Sequence, residues 1–497
     1  MSPAAHRGRW PPYLVVAALI VLVLSPTVIA AAALAVAAIG TAVFRRARGR
    51  ALRHASATDA AAATLLGTTE NGRPFRLTDH QLSAHTLILG ASGAGKSNTL
   101  LTILTDHIER GRGAAVIDMK GSQAFAREVE AAAQRAGRPF RLWTLDGPGH
   151  WNPLANGNPS ELKDRLISAE RWTELHYQRA AERYVQTALK VWQHARPDRA
   201  PTLIDVVGLM DDRRLALMLR DVPRDFARQV QNYLASLVPD QRSAVRGFET
   251  RLAILAESHA GSFLAPGGPD TIDLRAAMDG REVVLFSLNS SRYEKLAAQV
   301  GALVAQELNS LMGSRLEHPG AVDPFMIAVD ELAALGPEHV LNLVARGREA
   351  LFPVVGATQE LADLDKVVRG LADQLLGIPA VKIAHRQDLP RSAQMIAEIA
   401  GTERVWEQTY YTDRRALLPD RDTGRGTRRL VERYRVEPDT IKTLEPGQAV
   451  VITKIPTSTV QKVTVLPPRA QPPRDPPPRD PPPRTLPPRA RDGPERE

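Results

Sequence analysis

The chain has no cysteine among its 497 residues. Disulfides, thiolate catalysis, thiolate zinc sites and iron–sulfur clusters are thereby excluded. Its twelve histidines include no His-Glu-x-x-His pair, so the common zinc-hydrolase signature is missing too. Lysine is scarce, with 10 residues against 54 arginines, and aromatics make up only 5%. The arginine bias runs through the whole chain. The net charge of +9 therefore favours anionic partners in general, and scattered arginines do not by themselves mark a nucleic-acid surface. The length is too great for a single compact core and predicts two or three structural units.

Charge itself is absent from one stretch. Residues Tyr13 to Phe44 carry no Asp, Glu, Lys, Arg or His over 32 positions, and Arg45, Arg46, Arg48 and Arg50 follow at once. A cleaved signal peptide has a shorter apolar region. A single straight helix of this length would span roughly 48 Å, against about 30 Å of hydrocarbon. Pro26 sits near the middle, where it breaks helical hydrogen bonding. These features predict a membrane anchor over residues 1–50, with the 13–44 stretch folded as two transmembrane helices in a hairpin. One long kinked helix is the alternative. Arg7 and Arg9 before the run and the arginine cluster after it predict that both flanks, and the rest of the chain, face the cytoplasm.

Past an alanine-rich connector over 51–63, Leu65 to Leu77 reads as a hairpin turning at Asn71-Gly72. Short apolar strands are expected at Thr86–Leu89, Ala114–Asp118 and Arg141–Leu145, with helices between them, as in a parallel α/β sheet. From about residue 155 to 265 strand signals give way to helical periodicity, which predicts an inserted all-α domain. Strands return at Glu282–Leu288, Phe325–Val329, Pro353–Ala357, Ala380–Ile383, Gln448–Lys454 and Val460–Val465. The α/β unit is thus expected in two parts, 51–154 and 266–465. Residues 466–497 repeat Pro-Pro-Arg with Arg469, Arg474, Arg479, Arg484 and Arg489 at intervals of five, and predict a disordered tail.

Two motifs carry chemistry. Gly90, Ala91, Ser92, Gly93, Ala94, Gly95, Lys96 and Ser97 match the Gly-x-x-x-x-Gly-Lys-Ser phosphate loop between an expected strand and an expected helix that continues through Asn98. Such a loop wraps phosphates in backbone N–H groups at a helix N-terminus, its lysine reaches the β- and γ-phosphates, and its serine ligates Mg²⁺. Phe325 to Glu331 (FMIAVDE) is an apolar strand ending in two carboxylates. Asp330 is expected to hold Mg²⁺ through water and Glu331 to activate the attacking water. Gln359 closes the next strand and is a candidate γ-phosphate sensor. Arg346 and Arg348 are candidates for an arginine that completes a neighbouring subunit's site, with Arg348 preferred. Asp118 and Lys120 close an earlier strand, either near the nucleotide or in an ordinary turn. No Asn-Lys-x-Asp follows, so ATP is expected rather than GTP. Trp143, Trp151, Trp172, Tyr177, Tyr184 and Trp192 are assigned mostly to helical core packing.

In motif order, 64–465 resembles the conjugative coupling proteins of type IV secretion systems, TraG/TraD-like members of the FtsK/HerA group of motor ATPases. The resemblance rests on HTLILGASGAGKSNTL, AVIDMKG, WNPL at Trp151 to Leu154, VVLFSLN, MIAVDELAALG, the Gly-Arg-Glu run at Arg348, and LEPGQAVV. It implies a RecA-like P-loop core with an inserted helical domain and a homo-hexameric ring at the inner membrane. It also implies ATP-driven transfer of a relaxase-bound DNA strand through a type IV secretion channel. The short insertion and the basic rather than acidic tail depart from some relatives. A chromosome translocase of the FtsK kind, a protein-secretion ATPase and a scaffold with a degenerate site are the alternatives. The wide separation of Lys96 from Glu331 and the intact Lys96, Ser97, Asp330 and Glu331 weigh against the first and last.

Overall fold

The computed structural model describes residues 63–318, 320, 323–359, 361, 370–413 and 421–468. The charge-free stretch 13–44 and the proline-rich tail beyond residue 468 lie outside the described residues. Among those described, no helix is long and apolar enough to cross a membrane.

Thirteen strands are described: β1 (Ala63–Thr69), β2 (Pro74–Thr78), β3 (Thr86–Leu89), β4 (Ala114–Asp118), β5 (Phe140–Thr144), β6 (Val283–Ser287), β7 (Met326–Asp330), β8 (Val354–Thr358), β9 (Val381–Ala384), β10 (Thr402–Asp413), β11 (Arg421–Tyr434), β12 (Gln448–Thr453) and β13 (Thr459–Val465). Eleven of them form one sheet in the order β2-β1-β13-β12-β9-β3-β8-β7-β4-β6-β5. The run from β9 to β5 is parallel throughout. β12, β13 and β1 join it antiparallel. The sheet is therefore mixed rather than purely parallel. The physical reason is connection length: the few residues between β12 and β13 allow only an antiparallel return.

β3, β4 and β7 are buried along their whole length. This suits central parallel strands covered on both faces. Ile88, Val116, Ala328, Val355 and Ile383 point to one face, where they pack with Leu100, Ile103, Leu104 and Ile108 of helix Lys96–Glu109 and Phe125 and Val129 of helix Gln123–Arg135. Leu87, Leu89, Ile117 and Val329 point to the other, against Val300, Leu303 and Leu308 of helix Glu294–Glu317 and Leu343 of helix Pro337–Gly347.

Between Thr144 and Val283 no strand is described. Helices Pro159–Ser168, Leu175–Ala195, Leu203–Leu209, Asp212–Met218, Arg224–Ser236 and Pro239–Ala256 fill the interval. The first starts at a capping box in which Asn158 and Glu161 satisfy each other's backbone N–H groups, with Pro159 at the first helical position. The Trp-Asn-Pro-Leu motif fastens this region to helix Glu294–Glu317. Trp151 Nε1 donates to Glu307 Oε2 at 3.0 Å and Asn156 Nδ2 donates to Glu307 Oε1 at 3.0 Å. Arg165, 1% exposed, donates to the Pro153 carbonyl and offsets the Glu307 charge, while burial pushes the Glu307 carboxyl upward. Trp143, Trp151, Tyr184 and Trp192 are buried, as core packing requires.

β10 and β11 form a separate two-stranded ribbon that the sequence pattern did not predict. Most of its residues 402–409 and 427–434 are exposed, so no buried face imposes an alternating hydrophobic signal.

Candidate nucleotide site

The residues expected to bind phosphate and cation meet at the C-terminal edge of the parallel strands. β3 delivers the loop Gly90–Ser97, β7 delivers Asp330 and Glu331, and β8 lies between them with Gln359 just past its tip. β4, next to β7 in register Asp118↔Asp330, brings up the turn that carries Lys120.

The loop is held open by its neighbours. A Cβ on Gly90 would lie 2.7 Å from the Cβ of His385, and Gly95 adopts φ +118° with Gly447 N only 3.2 Å from where its Cβ would be. Both positions need glycine. Ala91 N donates to Arg386 O at 2.8 Å, and Gly447 N donates to Ala94 O at 3.0 Å. Helix Lys96–Glu109 starts with no side-chain cap and no acidic residue in its first turn. Its leading N–H groups and positive dipole end are thus left for an anion. Ser92, Gly93 and Asn98 are exposed around the mouth of the loop. Lys96 is 5% exposed, and its ammonium donates to Gly90 O at 2.6 Å and Ala91 O at 3.0 Å.

Where a cation is expected, Ser97 Oγ donates to Asp330 Oδ2 at 2.9 Å. Lys120 Nζ donates to Asp330 Oδ1 and Oδ2 at 3.1 and 3.0 Å and to Ser97 Oγ at 3.2 Å, and lies 3.9 Å from Glu331 Oε2. Glu331 has a left-handed backbone, φ +68°, between β7 and the short helix Leu332–Leu335. That conformation is costly for a residue with a side chain. Gln359 Nε2 donates to Glu331 Oε2 at 3.0 Å. Asp118 accepts from the backbone N–H groups of Lys120 (3.0 Å) and Ser122 (2.7 Å); burial, helped by the nearby Asp330 charge, pushes its carboxyl upward.

The structure thus brings Ser97, Asp330, Glu331 and Gln359 together beside the loop. Arg348 is not among them. It is exposed near His85, at the start of β3 and so at the opposite edge of the sheet. There burial, together with the Arg348 charge, lowers the His85 ring to about 4. Arg346 is exposed as well. Lys120, left open between two readings by the sequence, belongs to the cluster. His385 was missed. It directly follows β9 beneath the loop, with Nε2 2.8 Å from Thr99 Oγ1 and Nδ1 2.8 Å from Gln448 O, and burial lowers its ring to about 4. Its one legible signal was a polar residue at the end of an apolar strand.

Residues 324–446 match the family described as the TraM recognition site of TraD and TraG. Solved structures with a similar fold include the bacterial conjugative coupling protein TrwBdeltaN70. It is 15% identical over 82% of this chain and 91% of that one, with a TM-score of 0.60. The plasmid coupling protein TrwB in complex with ADP and Mg²⁺ is 16% identical over 80% and 88%, with a TM-score of 0.57. VirB4 of Thermoanaerobacter pseudethanolicus is 15% identical over 82% and 96%, with a TM-score of 0.52. No curated protein sequence matches the chain.

Proposed function

We propose that this chain, a conjugative coupling protein of the TraG/TraD type, is a membrane-anchored motor that hydrolyses ATP and moves a relaxase-bound DNA strand toward a type IV secretion channel. The observation that carries the catalytic part is the convergence of Ser97, Asp330, Glu331 and Gln359 beside the glycine loop. The cation position fits Mg²⁺: a hydroxyl and a carboxylate converge there, an all-oxygen set suited to a hard cation, and a positive group already rests between them. Bound there, Mg²⁺ would neutralise charge on the β- and γ-phosphates. Ser97 and Asp330 would hold it. The loop N–H groups and Lys96 would grip phosphate oxygens, with the lysine leaving its loop carbonyls for them. Glu331 would orient the attacking water and take its proton, while Gln359, hydrogen-bonded to Glu331, would link that carboxylate to the γ-phosphate. TrwB with ADP and Mg²⁺ supports this nucleotide reading.

Arg348 lies at the edge of the sheet away from its own site, which fits a role on a neighbour's nucleotide in a homo-hexameric ring. The charge-free stretch 13–44, flanked by arginines, supports a place at the inner membrane. The match at 324–446 supports docking of a TraM-like protein from the DNA-processing side. The test is ATPase activity of the full chain with single-stranded DNA, double-stranded DNA or a secreted protein. DNA should stimulate it with little dependence on base sequence, and affinity should fall steeply with salt. A variant with Arg469, Arg474, Arg479, Arg484 and Arg489 changed to Gln separates tail binding from motor binding. Stimulation by a secreted protein and not by DNA would replace this reading with protein export.

A further inference from the structure

The cluster contains a cation of its own. Lys120 Nζ touches the same three oxygens, Ser97 Oγ and both oxygens of Asp330, that make up the protein side of the divalent-cation position. Whether Asp330 meets the metal ion directly or through a ligated water, an ammonium on both of its oxygens competes for the lone pairs that the ion or its water needs. We propose that Lys120 is a positioning residue: it holds the cation place while the site lacks nucleotide and yields it to the divalent cation that arrives with nucleotide. This rests on the nucleotide reading given above.

The turn that aims Lys120 is tightly built. Asp118 ties back the N–H groups of Lys120 and Ser122. Gly121 adopts φ +69°, and a Cβ there would lie 2.6 Å from Asn289 Cβ. Met119 O accepts from Ser290 N at 2.7 Å, and Leu288 N donates to Asp118 O at 2.8 Å. The backbone is therefore pinned on the β6 side while the side chain borders solvent: it is 36% exposed, against 2% for that of Asp330 and 15% for that of Glu331. A lysine on such a stem can withdraw into solvent without moving the turn.

The charge balance says what the residue does. Asp118, Asp330 and Glu331 bring three carboxyls to one strand edge, and Lys120 is the cation on Asp330. While it stays, Asp330 and Glu331 keep their places and a free divalent ion meets an ammonium instead of a vacant pair of carboxylates. Nucleotide phosphates supply new negative charge and new oxygen ligands together. Only then does exchanging ammonium for metal become favourable. Metal uptake is coupled to nucleotide, and the carboxylates stay assembled between turnovers.

The experiment is a Mn²⁺ titration of the full chain, read from the electron paramagnetic resonance of free Mn²⁺, with and without ADP. Wild type should take up one Mn²⁺ per site with ADP and bind it at least roughly tenfold more weakly without, because the phosphates then supply neither ligands nor charge. Lys120→Met should bind Mn²⁺ without nucleotide up to about fivefold more tightly than wild type. Lys120→Arg should resemble wild type, and Lys120→Met with Asp330→Asn should lose the gain. A purely structural lysine would lower the Tm without raising metal affinity. Equal nucleotide-free affinity in Lys120→Met and wild type overturns the inference. So does tight Mn²⁺ binding by nucleotide-free wild type, which needs no variant to fold. Absence of Mn²⁺ uptake even with ADP instead overturns the nucleotide reading itself.

Discussion

Gln359 Nε2 donates to Glu331 Oε2 at 3.0 Å, joining the tip of β8 to the residue after β7. The bond fixes one carboxylate oxygen and leaves the other free to face a water. Glu331→Gln keeps the side chain's size and removes its basicity. It should retain ATP binding and lose turnover by roughly 10²- to 10⁴-fold. Lys96→Ala should weaken binding as well. Parallel ATPase and fluorescent-nucleotide measurements separate the two, and a wild-type rate in Glu331→Gln would remove Glu331 as the base.

Arg348 should act on a neighbouring site. Arg348→Ala alone should keep nucleotide binding and lose roughly 10³-fold or more in turnover. Mixed assemblies of Arg348→Ala and Glu331→Gln chains should recover part of the activity, because some interfaces then pair an intact Glu331 with an intact Arg348. No recovery in verified mixed assemblies counts against the assignment. The same pattern with Arg346→Ala in place of Arg348→Ala would move it to Arg346.

Three buried histidines make stability depend on pH. Burial lowers His85 to about 4, His107 to about 3 and His385 to about 4, from 6.5 in the unfolded chain. Their folded-state values are depressed, so the stability they allow is complete above 6.5. It falls as pH drops from 6.5 toward 4, because only the unfolded chain takes up the protons. Each contributes a slope of at most about 1.4 kcal/mol per pH unit in that window. The raised carboxyls of Asp118 and Glu307 act in the opposite sense, so a variant isolates one histidine. His85→Asn, which can still accept from Val354 N, should flatten the dependence of urea stability between pH 6.5 and 5. An unchanged slope would contradict a neutral, buried His85.

Glu307 anchors the helical region to helix Glu294–Glu317. Glu307→Leu leaves Trp151 Nε1 without its acceptor, Asn156 Nδ2 with Asp273 alone and Arg165 with Glu161 as its remaining acidic neighbour. The expected loss is about 1–3 kcal/mol, the usual cost of leaving a buried donor unsatisfied. Thermal or urea unfolding measures it, and a loss under about 1 kcal/mol would mean that the network is not held together by this carboxylate.

The sequence by itself determined whatever follows from local spacing. Gly90 to Ser97 read as a phosphate loop because glycines and a lysine at those intervals have one common use. The strands at 114–118 and 326–330 read as buried because apolar residues run through them without alternation, as two covered faces require. Asn71-Gly72 announced its hairpin, and the strand-free interval announced the helices. Tertiary structure decided the rest. That β8 lies between β3 and β7, so that Gln359 meets Glu331, depends on strand order, which no local pattern encodes. The β10–β11 ribbon buries too little to print a period on its residues. His385 beneath the loop, 286 positions from Thr99, and Lys120 on Asp330, 210 positions away, are charge and hydrogen-bond partners brought together only by packing. Spacing along a chain reports which face of an element is buried; it carries no information about which elements become neighbours at one edge of a sheet, and the cation chemistry of this site is set there.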